Sequence, residues 1–126
     1  MAVYENIKVI SLELNAATVT QYAFVKISGA DGQVITGAGD TDIICGVAQE
    51  TQAVVGATVP TAIAGISKIW VDSAAGVGFG NQLTCSANGG AVAAVAGDMV
   101  HGIAVEAGAD DDIIGMILYP SSQLLA

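Results

Sequence analysis

The sequence predicts an all-β domain, a small antiparallel β-barrel or sandwich entered through a short extended N-terminal arm. Three observations predict it. Short runs rich in Val, Ile and Thr recur along the whole chain, as half-buried strands do. Glycine-bearing turn signals separate them, at GADG (29–32), GAGD (37–40), AAGVG (74–78) and ANGG (87–90). No segment sustains a helical period. The alanine-rich stretch that comes nearest is broken by Gly56, Pro60 and Gly65, and in a helix interior Gly costs about 1 kcal/mol and Pro about 3.

Taken in order, residues 7–14 (IKVISLEL) alternate apolar and polar side chains and give the first strand. Residues 21–28 (QYAFVKIS) and 33–36 (QVIT) flank the GADG turn as a hairpin. Residues 43–48 (IICGVA) follow the GAGD turn, and β-branched residues favour strands at 58–63 (TVPTAI) and 67–72 (SKIWVD). The second half continues with 82–86, 91–94 across the ANGG turn, 100–105, and 113–119, which stops before Pro120.

Two phrases nearly repeat. Residues 43–50 read IICGVAQE and residues 99–106 read MVHGIAVE. Upstream, residues 25–40 lie over 83–98 without a gap, and omitting Thr41 and Asp42 joins the two alignments. Identities include Ser28/Ser86, Gly32/Gly90, Asp40/Asp98, Gly46/Gly102, Ala48/Ala104 and Glu50/Glu106. The reading is an internal repeat, 25–50 and 83–106, inside one domain of residues 15–126, with residues 1–14 as arm and first strand. Gly46 and Gly102 mark a bulge or a close backbone approach. Ala48 and Ala104 are small enough for two sheets to close over them. Asp40 and Asp98 fix turns through nearby amides, and Glu50 and Glu106 project from strand ends into solvent.

Composition limits the function. Of 126 residues, 53% are hydrophobic and 12% charged, about half the usual charged share, and the mean hydropathy is +0.66. A domain this small has too much surface to hide so much apolar side chain alone, which predicts self-association or docking on a large partner. Neither 113–119 nor the glycine-rich 89–97 approaches the ~20 apolar residues of a membrane-spanning helix. The N-terminus, MAVYENIKVISLEL, lacks the basic region of a secretory signal. Three lysines, no arginine and twelve acids give a net charge of −9, so no basic footprint for nucleic acid is expected.

Nothing in the sequence assembles a catalytic, cofactor or metal site. His101 is the single histidine, and its counterpart in the repeat is Cys45. Zinc needs three or four convergent ligands, and Cys45 and Cys85 lack the paired spacing of a zinc site. With no basic neighbour, both cysteines read as reduced, buried, apolar side chains. Asp110–Asp112 lacks the alternating ligands and central glycine of a calcium loop and reads as a solvated turn. Residues 76–82 (GVGFGNQ) have the glycines of a phosphate loop without its Lys-Ser/Thr. The expected working surface is instead apolar: Trp70, which reads equally as an interface anchor or a cap on the core, with Val3, Tyr4, Ile7 and Val9 at one chain end and Leu124 and Leu125 at the other. The arm, 2–10, can pair with an exposed sheet edge of a neighbour.

The order QYAFVKIS, IICGVAQE, VVGATVPTAIAG, GFGNQLTC and MVHGIAVEAGADDDIIGMILY resembles the small capsid decoration, or cement, proteins of tailed bacteriophages over residues 20–119. The chain departs from that pattern in 56–65, which has no charge, and at Asn81, where Asp is common. The resemblance implies a β-rich homotrimer, made in the host cytoplasm. It implies a place on the outer capsid surface, where the protein bridges neighbouring major capsid subunits and stabilises the shell without enzymatic activity. The competing reading is a β-barrel binding module of a phage spike, fibre or host-recognition structure.

Overall fold

Among the described residues nine strands form where the sequence predicts ten, and the difference lies in the middle of the chain. In the computed structural model, which describes residues 7–126 apart from the side chains of Pro120 and Ser121, the runs at 58–63 and 67–72 are one strand. The strands are β1 (Lys8–Leu14), β2 (Phe24–Ile27), β3 (Gln33–Thr36), β4 (Gly46–Ala48) and β5 (Thr58–Trp70). They continue with β6 (Gln82–Cys85), β7 (Ala91–Ala93), β8 (Met99–Ala104) and β9 (Ile113–Leu124). Gly65 has φ +94°, a value glycine reaches without a Cβ clash. The strand therefore turns a corner at Gly65 rather than ending there.

The fold is all-β, and its sheet order is β1-β3-β2-β4-β5-β9-β8-β6-β7, with β1 also paired to β5. β1 runs parallel to β3, through Glu13↔Gln33 and Leu14↔Val34. The sheet is therefore mixed, not wholly antiparallel, because β2 and β3 form a hairpin whose second arm must follow the direction of β1 to reach it. Pairing of β1 with both β3 and β5 closes a first ring from β1, β3, β2, β4 and the first half of β5. The second half of β5 continues through β9, β8, β6 and β7. A parallel bridge between Val71 and Ala91 brings β7 back to the end of β5.

The same backbone bonds occur in both rings. Leu14 donates to Ala57 O as Val71 does to Asp112 O, and Tyr22 donates to Ala48 O as Gly80 does to Ala104 O. Val19 pairs with Gln52 as Val77 does with Gly108. The buried side chains correspond too. Leu14, Val19, Val25, Val34, Ala48 and Val59 fill the first ring. Val71, Val77, Leu83, Ala91, Ala104 and Ile114 occupy the matching places of the second. A further layer, Phe24, Ile44, Val47 and Ala62 from the first ring with Ile69, Cys85, Met116 and Leu118 from the second, joins the two.

Hydrogen bonding corrects the ungapped alignment. The Asp98 carboxylate accepts the Val95 amide at 2.9 Å, and Asp42, not Asp40, does the same for Ala38 at 2.7 Å. The chain is one residue shorter in the ANGG turn and one shorter beyond it, so the two missing residues are not both at 41–42. Glu106 also departs from expectation. It accepts the Gly115 amide at 2.8 Å and holds β9, while Glu50 is exposed.

The repeated glycine has a steric cause. A Cβ on Gly46 would strike Ala62 O and lie 2.7 Å from Thr61 Cγ2; one on Gly102 would strike Ile117 O and lie 2.7 Å from Met116 Sδ. Both glycines let a neighbouring strand approach at the same point of each ring. Gly46→Ala and Gly102→Ala are each expected to destabilise the fold by about 1–3 kcal/mol. Gly39→Ala, where a Cβ meets nothing within 4 Å, should stay within about 0.5 kcal/mol of the wild type. Urea midpoints at unchanged m-value measure all three.

Candidate interaction surface

Alternation along β5, β8 and β9 puts one set of side chains into the core and the other set outward. On β9, Ile114, Met116 and Leu118 are buried, whereas Ile113 and Ile117 are 45% and 43% exposed. Ile117 pairs with Ile103 of β8 on one side and Ile66 of β5 on the other. Three isoleucines thus stand in a row across three adjacent strands, and Ile103 and Ile66 are both half-buried. Gln82 of β6 extends the row. Lys68, also outward on β5, lies 5.8 Å from the centre of the Tyr22 ring.

Trp70 sits at the end of this face and is tied down. Its indole N–H donates to Asp111 Oδ1 at 3.1 Å. Asp110 accepts the Ser73 amide at 3.0 Å, and Asp112 accepts the Ala109 amide at 2.9 Å. Asp112 therefore serves its own turn, while Asp110 and Asp111 tie that turn to the segment at the end of β5. Among the described residues, no group of three or more His, Cys, Asp or Glu could hold a metal ion. The glycine loop at 76–82 presents Phe79, which is 79% exposed, to solvent.

His101 lies where the rings meet. It is buried, with its ring edge-on to Phe24 at 5.1 Å between centroids. Nδ1 is 2.8 Å from Ser122 Oγ, which accepts the Ile44 amide at 3.1 Å and donates to Ile44 O at 3.3 Å. Nε2 is buried with no hydrogen-bond partner among the described residues. A charged imidazole must donate from both nitrogens. Burial therefore pushes the His101 pKa down to about 4, against a weaker opposing pull from the Asp42 carboxylate. Asp42 itself is raised by burial and lowered further by Lys26, 2.9 Å away, and the Ala38 amide, so its carboxyl rests below its ordinary value.

Both cysteines are free thiols. Cys85 is buried and Cys45 half-buried, and burial pushes them up to about 12 and about 11 respectively. Neither is a nucleophile at neutral pH. At the chain ends, Val3 and Tyr4 lie outside the described residues. Ile7 packs against the core, and Val9 on β1 is 45% exposed. Leu124 is exposed, while Leu125 is anchored through backbone bonds with Gly97 and Asp98. The structure thus puts Trp70 on the same outward face as the isoleucine row, beyond Lys68, but keeps Leu124 and Leu125 on the separate β8–β9 end.

Two closed rings sharing one strand are the property a comparison of folds can test. The fold is similar to that of a phage head-fibre base. Its TM-score is 0.71 with the crystal structure of the head fibre gp8.5 N base of bacteriophage phi29, at 20% identity, covering 93% of this chain and 98% of that one. No family model matches the chain, and no curated protein sequence does either.

Sequence reasoning named Trp70 but missed Ile66, Ile103 and Ile117. Ile103 and Ile117 lie in runs that read as core and Ile66 falls between the runs at 58–63 and 67–72, and only strand pairing reveals that they share an outward face. Ser122 was missed because β9 was expected to stop before Pro120. It continues to Leu124, since Pro120 falls where the β8–β9 register shifts and no ladder bond is required of it.

Acid should expose the state of His101. A folded pKa of about 4 against an unfolded value of 6.5 means the unfolded chain binds the proton first. Stability then falls as pH drops from 6.5 to 4, by ~3 kcal/mol in total. In His101→Met, which keeps the volume, urea titrations at pH 6.5 and 4.5 should show a clearly smaller loss than in the wild type. An equal loss in both proteins would assign the sensitivity to the carboxylates.

Proposed function

We propose that this chain is a structural protein of a phage head, held on the outer surface of the capsid by contacts with the major capsid protein. It acts there as a homotrimer that decorates and stabilises the shell, without enzymatic activity. The observation that carries the reading is the fold likeness to a phage head-fibre base across almost the whole of both chains. An outward isoleucine row and a net charge of −9 fit a protein that works by surface contact and stays clear of packaged DNA. Many modest contacts repeated around a symmetric shell add up without any single strong site.

The neighbour's description as the base of a head fibre supports a second reading, in which the domain seats a projecting fibre rather than bridging capsid subunits. Copy number separates them. Quantitative mass spectrometry of purified particles should find a shell-covering number of copies for a cement role and a small number for a fibre base.

Attachment itself is tested by co-sedimentation of the purified protein with mature heads of the phage that encodes it and with unexpanded precursors. Binding to mature heads alone is expected, and binding to neither would sink the capsid reading. Deleting residues 2–6, which precede β1, should leave the fold intact and weaken head binding at least tenfold. Unchanged binding would remove the arm from the contact.

A further inference from the structure

The two rings bury matching faces unequally. In the first ring the outward row is Phe24, Val47 and Ala62, paired side by side across β2, β4 and β5 and continued on β1 by Val9, which matches Ile66. Val9 is 45% exposed, and the other three are fully buried. The second ring covers them. Phe24 packs edge-on against His101, its amide donates to Gly89 O at 2.8 Å, and Tyr22 O accepts the Trp70 amide at 2.9 Å. In the second ring the same places belong to Gln82, Ile103 and Ile117, paired in the same order across β6, β8 and β9. Gln82 is exposed, Ile103 half-buried and Ile117 43% exposed. This row has the same construction and, among the described residues, no cover.

The surface that would supply the cover is also bare. In the second ring the covering side carries Ile69, Cys85, Gly89 and His101, all buried. Their matching positions in the first ring are Leu12, Ile27, Gly32 and Cys45. Ile27 is 55% exposed, Gly32 is exposed, and Leu12 and Cys45 are half-buried. A Cβ on Gly89 would run into Thr36 of the first ring, whereas one on Gly32 would meet nothing within 4 Å. One chain therefore offers an uncovered row at one end and an unused rim at the other.

We propose that a second copy of this chain seats the rim of its first ring on the outward row of the second ring, repeating between chains the contact the two rings make within one. The inference does not rest on the capsid reading. Row and rim are different surfaces, so the contact is head-to-tail and adds copies until the rotation closes a ring. One detail differs between chains. Glu13 donates to Gly32 O at 2.8 Å, at the place where the second ring admits Tyr22 and Phe24 between Trp70 and Gly89. That slot is shut, so the contact between chains is made by side chains, without the two backbone bonds.

Light scattering after size exclusion tests this without any capsid present. The wild type is expected to elute as one closed oligomer. Ile117→Glu spoils the row and Ile27→Glu spoils the rim. Both positions are exposed enough for each variant to keep the wild-type circular dichroism and melting curve, and each alone should be a monomer. Mixed in equal amounts, the two should form a one-to-one dimer, because one partner keeps an intact rim and the other an intact row. A monomeric wild type would overturn the proposal. So would Ile27→Glu keeping the wild-type mass, which marks a row-to-row contact, or a mixture that stays monomeric.

Discussion

The continuity of one strand organises everything else. β5 runs for thirteen residues, giving its first half to β1 and β4 and its second half to β9. Backbone donors and acceptors away from water must be paired, and neither ring can satisfy its own without this strand. Cutting the pairing in one half would release the last strand of one ring or the first of the other. Gly65 makes the sharing possible, since its φ of +94° turns the strand from one ring into the next while the chain stays in the sheet.

Much of this was legible from residue types alone. All-β character follows from β-branched runs and glycine punctuation, and the strands at 33–36, 82–86 and 91–94 fall within a residue or so of those observed. Other features depend on partners distant in sequence. Gly65 reads as a break until it is known that Lys8↔Ala64 and Gly65↔Leu118 pairings flank it. The Gly-Asp pattern matches Asp40 to Asp98 in sequence, and only the acceptance of the Ala38 amide by Asp42 shows which aspartate corresponds to Asp98. The outward row was hidden for a related reason. Isoleucine on a strand marks a buried face only if the face is known, and a one-residue change of register exchanges the two.

The join between the rings is not purely apolar. His101, Ser122 and Ile44 form a short polar chain across it, and Phe24 lies against the imidazole. Where the second ring has His101 the first has Cys45, so the same scaffold position serves a covered contact in one place and a half-open one in the other. An orphaned Nε2 in a close-packed layer is tolerated while the ring is neutral, since a neutral acceptor costs less to bury than a charge. The seam is therefore well packed but chemically conditional, whereas the first ring's core is mainly aliphatic, with the buried Thr61 hydroxyl satisfied by Val59 O.

Sharing β5 also imposes an order on biosynthesis. The first ring has all its strands once Ala64 has been synthesised and has emerged, but Phe24, Val47 and Ala62 then lack the cover of the second ring until residues 65–126 follow. At ~5–20 residues per second, residues 65–126 take roughly 3–12 s to be made. Strand pairing in small domains is commonly faster than that, so a half-made chain carries a folded ring with a bare apolar face and half of β5 hanging free. Codon choice after residue 65, or a chaperone waiting at the tunnel exit, becomes a determinant of yield for a protein whose finished form needs neither.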